Sequence, residues 1–229
     1  MCLYLIREAS QGKPLYLRKE IFLHGKGLSS KAYAFKESRI GFQRSSPQNN
    51  YRRIIAAYID PGNFCFDTVS FVPKSRSKLS LYCLLGLLNS NLFEWYFRLG
   101  STNSKVNEYQ FNNLPCPRFG DIQRPGDSRV LKEAIKTLHG AEVGRTYKIV
   151  LPLLENPPFS SVTQQIIEEA VKHIVKIETE RGDITRRERS KLHNEAQPYQ
   201  DFIDRCIYSM AGVEADEAKA LEERLAGML

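Results

Sequence analysis

The sequence predicts an α+β protein, in which a mixed β-sheet domain with a long buried helix is followed by a helical C-terminal domain. Three observations lead to this class. Short runs rich in β-branched and aromatic residues fall within the first 75 residues, one apolar run covers 79–99, and apolar residues recur at helical spacing beyond about 120.

Three strands are predicted in the first part of the chain, at 39–44, 53–59 and 64–72. A turn of Asp, Pro, Gly and Asn at 60–63 separates the last two. The run 64–72 carries aromatic residues on both of its alternating faces, which favours an interior strand.

The apolar run 79–99 predicts a single helix that Gly100 ends. It is long enough to span a bilayer, but four polar residues in its middle make membrane insertion costly: Asn89, Ser90, Asn91 and Glu94. The sequence has no charged-then-apolar signal peptide at its start. We therefore expect a cytoplasmic protein.

A linker of about eight residues, with Gly120, Pro125 and Gly126, divides the predicted domains 1–120 and 121–229. Beyond it, the pattern predicts helices at 130–138 and 161–181, a helix with Pro198 in its first turn and Gly212 at its end, and a charged helix at 214–225. Their apolar stripes are typical of a core or of a partner-docking surface.

The net positive charge lies in the first domain. Residues 1–120 contain 17 Lys and Arg against 7 Asp and Glu, whereas the rest of the chain contains 16 against 19. This asymmetry suggests that the first half meets a polyanion. Arg and Lys neutralise phosphates, and Arg, Asn and Gln can bind the edges of guanine and adenine.

Basic and amide residues concentrate near the predicted loops and strand ends and are our candidate DNA-binding residues. They are Lys26, Lys31, Arg39, Gln43, Arg44, Asn49, Asn50, Arg52, Arg53, Arg76, Lys78, Arg98, Ser101 and Lys105. Within this set, the side chains of Arg39, Gln43, Arg44, Asn49 and Asn50 are the candidates for base edges, and the others for phosphates.

No catalytic or metal site is predicted. The five cysteines are scattered, odd in number and without CxxC spacing, and the four histidines are dispersed. The sequence Asn156-Pro157-Pro158-Phe159 matches the motif with which amino-methyltransferases hold a flipped base. The Gly-rich loop that S-adenosylmethionine requires is missing from the chain, so we expect no cofactor here.

The segment 84–117 carries the most specific resemblance. The chain here resembles the TaqI-like C-terminal specificity domain. The resemblance lies in LLGLLNSNLFEWYFR, followed by GSTN, VNEYQF and LPCP and preceded by RRIIAAY and FCFDTVSF. This domain is the target-recognition region of adenine-specific DNA methyltransferases and of fused type IIG (Eco57I-like) restriction-modification enzymes.

The resemblance implies sequence-specific binding of double-stranded DNA and a methyltransferase or nuclease domain or subunit as partner. In the family a separate N-terminal domain binds S-adenosylmethionine and methylates adenine, and this chain opens too close to the recognisable strands to contain it. We therefore expect no catalysis by this chain alone. Two alternatives remain: an adenine-N6 methyltransferase fragment that uses 156–159, and a protein-interaction module with a basic face.

Overall fold

The structure is a computed structural model and describes residues 4–5, 18–28, 30–65, 67–101, 104–122, 124–155, 157–181 and 192–227. Within these ranges the chain forms one small mixed sheet and many helices, so the predicted α+β class is confirmed.

The sheet has the order β1-β3-β2-β4. Its strands are β1 (Tyr4–Leu5), β2 (Arg39–Gln43), β3 (Ala56–Ile59) and β4 (Val69–Pro73). β2 is antiparallel to both β3 and β4, and β1 pairs with β3 in parallel. The three predicted strands are therefore present, although two begin later than expected.

The strand β4 lies at an edge of this sheet and is only partly buried along its length, so the interior position predicted for 64–72 is wrong. The aromatic pattern misled the prediction because Phe64 precedes the strand. Its ring stacks on Phe35 with the centroids 4.5 Å apart, in the turn region beyond the end of β3.

Alternate residues of β2 face different surroundings. Ile40 and Phe42 are buried in the main core, whereas Gly41 lies on the other face, where a Cβ would overlap the side chain of Ile59. A larger residue at this position would therefore require the Ile59 side chain to move.

The helices before the linker are α1 (Lys19–Leu23), α2 (Leu81–Leu88), α3 (Asn91–Gly100) and α4 (Glu108–Asn112), and a short 3-10 helix spans Lys31–Lys36. The single helix predicted at 79–99 is thus wrong, because the run divides into α2 and α3 at Asn89. The buried Asn89 side chain accepts from the Ala56 N–H and donates to the Ala56 C=O, both at 3.0 Å. Ser90 then caps α3 by accepting from the Phe93 N–H.

The helices beyond the linker are α5 (Asp127–His139), α6 (Val143–Val150), α7 (Ser161–Glu180), α8 (Gln197–Ala211) and α9 (Ala215–Gly227). Four of them correspond to predicted helices, and α6 was not predicted. Pro198 lies in the first turn of α8, and Gly212 ends α8 in the left-handed conformation with φ of 69°.

The hydrophobic core is continuous across the predicted boundary at 120. Side chains of β2, α2, α7 and α8 belong to the same buried cluster. α2 contacts the sheet on one side and α7 on the other, and at Gly86 a Cβ would lie only 2.8 Å from Val171. The division of the chain into the domains 1–120 and 121–229 stays a prediction.

Candidate nucleic-acid interface

The exposed candidate DNA-binding residues lie mainly at the two ends of β2. We call one end the loop end, comprising Gln43, Arg44, Ser45, Asn49, Asn50 and Lys105. We call the other the opposite end, comprising Lys31, Lys36, Lys74, Arg76 and Lys78. Because β2 has five residues and a strand rises about 3.3 Å per residue, about 13 Å of strand separates the two.

The loop end brings together two segments that are about 60 residues apart in sequence. Ser45 and Lys105 form an isolated antiparallel bridge. On either side of it, the Ser46 N–H donates to the Ser104 C=O and the Val106 N–H donates to the Arg44 C=O, both at 2.8 Å. The loop that leaves α3 is therefore fixed beside the residues that follow β2.

The loop 46–52 is held at the same end by Arg98. Its guanidinium donates to the C=O groups of Gln48 and Asn50 at 3.0 and 2.8 Å. The Ser46 hydroxyl accepts from the Asn50 amide and donates to the Arg52 C=O. These hydrogen bonds fix the backbone conformation of the loop. They therefore also fix the direction in which its exposed side chains point.

Glu94 on α3 is the buried anchor of this arrangement, with 1% of its surface exposed. Its carboxylate accepts from the backbone N–H groups of Arg53 and Ile54 at 2.8 and 2.9 Å. The same carboxylate pairs with the Arg98 guanidinium at 2.5 Å. The Glu94 carboxylate therefore accepts the hydrogen bonds that a neighbouring strand would accept from residues 53–54. This explains why β3 begins only at Ala56.

The side chains left at the surface of the loop end are those of Arg44, Asn49 and Lys105, with Gln43 and Asn50 partly exposed. The Arg44 guanidinium donates to the Asp67 C=O at 2.8 Å, while the side chain remains exposed. Two cations thus lie beside three amides at one edge of the sheet. This combination suits phosphate contacts next to base-edge contacts.

The residues that define the opposite end are all cations. Lys31, Lys36, Lys74, Arg76 and Lys78 are all exposed. The segment 74–76 is held there by Glu37, whose carboxylate accepts from both the backbone N–H and the hydroxyl of Ser75 at 2.8 Å. Lys26 lies after α1, which packs near the same end through the contact of Phe22 with Phe64. This chemistry suits phosphates and provides no obvious base reader.

Comparison with protein families gives a match over the segment that contains this interface. Residues 21–116 match the TaqI-like C-terminal specificity domain. Over this segment the chain is similar to that family. No curated protein and no solved structure matches the chain. A specificity domain indicates DNA recognition in a restriction-modification system and association with catalytic domains.

Two of the predicted DNA-binding residues are buried inside the matched segment, which argues against contacts with DNA in this conformation. Arg39 and Arg53 are each 1% exposed. The Arg39 guanidinium donates to the C=O groups of Ala34 and Asn63 and lies 5.4 Å from the Phe71 ring centroid. In this conformation it cannot reach a base edge, although its sequence position at the start of a strand suggested that role.

Arg53 supports the loop that leaves α3. Its guanidinium donates to the Ser101 hydroxyl at 3.0 Å and lies 5.4 Å from the centroid of the Phe97 ring. Burial lowers the pKa of Arg53, the neighbouring Arg98 lowers it further, and Glu94 opposes both. Ser101 is itself 6% exposed, so its predicted contact with DNA gives way to a structural role.

Arg52 and Arg98 are also engaged inside the matched segment. Arg52 donates to the Asn91 side chain at 3.1 Å and to the Ser90 C=O at 2.8 Å, at the break between α2 and α3. The Arg98 side chain is 10% exposed and bonded as described above. Sequence position alone gave no signal for these partners, because the loops that supply the carbonyl groups are distant in sequence.

Asp204 of α8 joins this helix break to the C-terminal helices. Its carboxylate accepts from the Asn91 N–H at 2.7 Å and from the Gln200 side chain at 3.0 Å. Complete burial raises the pKa of Asp204 to about 7, although these hydrogen bonds and the nearby Arg52 act in the other direction. We did not identify Asp204 from sequence, where it lies unmarked within an apolar stripe.

The methyltransferase-like motif at 156–159 is only partly described, since Asn156 lies outside the described residues. Phe159 is 3% exposed, and its ring centroid is 6.1 Å from that of Phe119. Its backbone also bonds to Arg118 and Gly120. An aromatic ring packed in this way is not available to stack on a flipped base.

Within the described ranges, no group of three or more His, Cys, Asp and Glu side chains is arranged to hold a metal ion. The helices in the same ranges are too short or too polar for a bilayer span.

Proposed function

We propose that the chain is the sequence-reading part of a restriction-modification system and binds duplex DNA through the loop end. The family match over 21–116 is the observation that carries this proposal, because the loop end lies inside the matched segment. The exposed Arg44 and Lys105 would contact phosphates or guanine, and Gln43, Asn49 and Asn50 would contact base edges.

The opposite end would add affinity without reading sequence. Its exposed Lys31, Arg76 and Lys78 are suited to phosphate contacts, each of which releases condensed counterions. The strand length between the two ends is comparable to the width of the major groove, about 12 Å in B-DNA. Both ends would therefore contact one duplex, on separate stretches of its backbone.

The catalytic step belongs, in this proposal, to a methyltransferase or nuclease domain outside this chain, as in type IIG enzymes and adenine-specific methyltransferases. That domain would bind S-adenosylmethionine, and the complex would work where the cell keeps its DNA, in the cytoplasm. The continuous core that joins the sheet to α7 and α8 supports a bracing role for the C-terminal helices.

The test is the salt dependence of duplex binding by the full chain, measured by fluorescence anisotropy between about 50 and 200 mM salt. We expect log K to fall linearly with log salt concentration, with a slope of about −0.9 for each phosphate neutralised. The absence of duplex affinity at the lowest salt would contradict the proposal and favour the protein-interaction alternative.

A charge-matched control separates specific contacts from bulk charge. Changing Arg44 and Lys105 to Gln should reduce the magnitude of the slope by about two. Changing Lys132 and Lys136 of α5 to Gln removes the same charge from exposed sites on a helix that packs against α6 and α7. These two changes should leave the slope as it is, and an equal loss in both variants would count against the loop end.

A further inference from the structure

The short helix α4 has one side fixed against the sheet. The Phe111 ring stacks on Phe42 with the centroids 4.1 Å apart and the planes 9° from parallel. Gln110 accepts from the Asn107 N–H at 3.3 Å and donates to the Gly100 C=O at 3.2 Å. The orientation of the helix is therefore set by this ring contact and by the hydrogen bonds of Gln110.

The other side of α4 points to solvent. Tyr109 is 62% exposed, and Asn112 and Asn113 are exposed as well. Their spacing of i, i+3 and i+4 puts them on one face of the helical turn. A large aromatic ring and two amides thus lie together on the surface, away from the side that packs on Phe42.

This exposed face belongs to the same end of the sheet as the loop end. Phe42 is the last residue but one of β2. Val106, whose N–H donates to the Arg44 C=O, lies two residues before the start of α4. The exposed face of α4 therefore begins four residues after the exposed Lys105, on a helix that packs beside the end of β2 at which Arg44 lies.

We propose that α4 is a second reading element for duplex DNA, whose Asn112 and Asn113 bind adenine edges while Tyr109 packs against a neighbouring thymine. Asn pairs with the N6 and N7 groups of adenine, and an aromatic ring contacts the thymine methyl group. The fixed orientation of α4 favours this role, because its amides are presented without a loop having to become ordered. The inference rests on the proposed function.

The experiment compares two duplexes: the one that the full chain enriches from a random-sequence pool, and a scrambled duplex of equal composition. The variants are N112A/N113A, Y109A and Y109F, with N194A as the control at an exposed amide near α8. Affinity is measured for each variant at one salt concentration, and the unfolding midpoint of each variant checks that the fold is intact.

We expect N112A/N113A to lose about tenfold or more in affinity for the enriched duplex, because the variant lacks both amides that would bind base edges. Its affinity for the scrambled duplex should change little. Y109A should lose part of its preference, and Y109F should keep it. N194A should match the unmodified chain.

If the unmodified chain prefers its enriched duplex and the α4 variants keep that preference, the α4 inference is overturned and the proposed function stands. The face of α4 would then be left for a protein partner. If the unmodified chain enriches no sequence, the proposed function fails together with the inference. The behaviour of the unmodified chain therefore separates the two failures.

Discussion

Polar side chains hold the backbone at both ends of β2, and aromatic rings also pack at the opposite end. Glu94, Arg53 and Arg98 bind the loops at the loop end. Phe35, Phe64 and Arg39 pack around the opposite end. Both ends expose positive charge, and the loop end groups it with three amide side chains.

This difference indicates a division of work. Reading a base edge requires a donor or acceptor that is held in place, and side-chain bonds to loop carbonyl groups provide that fixation. Neutralising a phosphate requires only a charge within reach, for which a flexible lysine suffices. The four predictions that follow test this contrast, in order of decreasing effect.

Glu94→Ala should remove the anchor of the loop end and cause the largest loss of stability, about 3–5 kcal/mol. The substitution removes the carboxylate that accepts from Arg98 and from two buried N–H groups. Urea unfolding measures the loss. Glu223→Ala, at an exposed position on α9, is the control and should change stability by no more than about 0.5 kcal/mol.

Hydrogen exchange on Glu94→Gln, a milder variant, locates the effect. Faster exchange should be confined to 44–56 and 104–106, with the 3-10 helix at the opposite end unchanged. Uniform loss of protection at both ends would show that Glu94 supports the whole sheet, and the contrast between the ends would then be lost.

Asp204→Asn should flatten the dependence of stability on pH. The pKa of Asp204 is about 7 in the folded protein and near 3.8 when unfolded, so the folded state holds its proton between these values. This group therefore makes stability fall as pH rises from about 4 to about 7, by up to about 1.4 kcal/mol for each pH unit.

The Asn side chain still offers an acceptor to the Asn91 N–H and no longer ionises. Unfolding midpoints at several pH values compare the two proteins, and other titrating groups contribute equally to both. An identical pH dependence in both proteins would mean that Asp204 is ionised in the fold across this range.

Removing two cations from each end tests the division of work directly. R44Q/K105Q should reduce the preference for the enriched duplex over a scrambled one, by about 1–3 kcal/mol if Arg44 contacts a base. R76Q/K78Q should weaken binding to both duplexes alike. Competition binding measures the two ratios, and the same loss of preference in both variants would place reading at both ends.

Exchanging Arg for Lys gives the smallest effect. Arg76→Lys should be close to neutral, since either cation can neutralise a phosphate. Arg44→Lys should lose more, because lysine lacks the planar guanidinium that donates two parallel hydrogen bonds. Equal affinities for these two variants in the same binding assay would indicate that Arg44 also contacts only phosphate.

The elements were largely predictable from sequence, whereas their contacts were not. Pro198 and Gly212 set the ends of α8 through local backbone preferences, and these act without any partner. The break at Asn89 was missed because the apolar pattern continues through it, and because its cause is a pair of hydrogen bonds to Ala56 on another element.

The candidate site was only partly predictable, for the same reason. Arg44 and Lys105 were chosen as charged residues near loops and are exposed, in line with the usual behaviour of charged side chains. Arg39 and Arg53 looked equivalent to them in sequence. They are buried because carbonyl, hydroxyl and aromatic groups from distant segments surround them, and a single sequence gives no view of that arrangement.

The most direct test of the account is to sequence the duplexes that the full chain enriches from a random pool, in parallel with R44Q/K105Q and R76Q/K78Q. The account predicts one enriched motif for the unmodified chain, the same motif for the opposite-end variant, and a weakened or altered motif for the loop-end variant. An unaltered motif from the loop-end variant would contradict it.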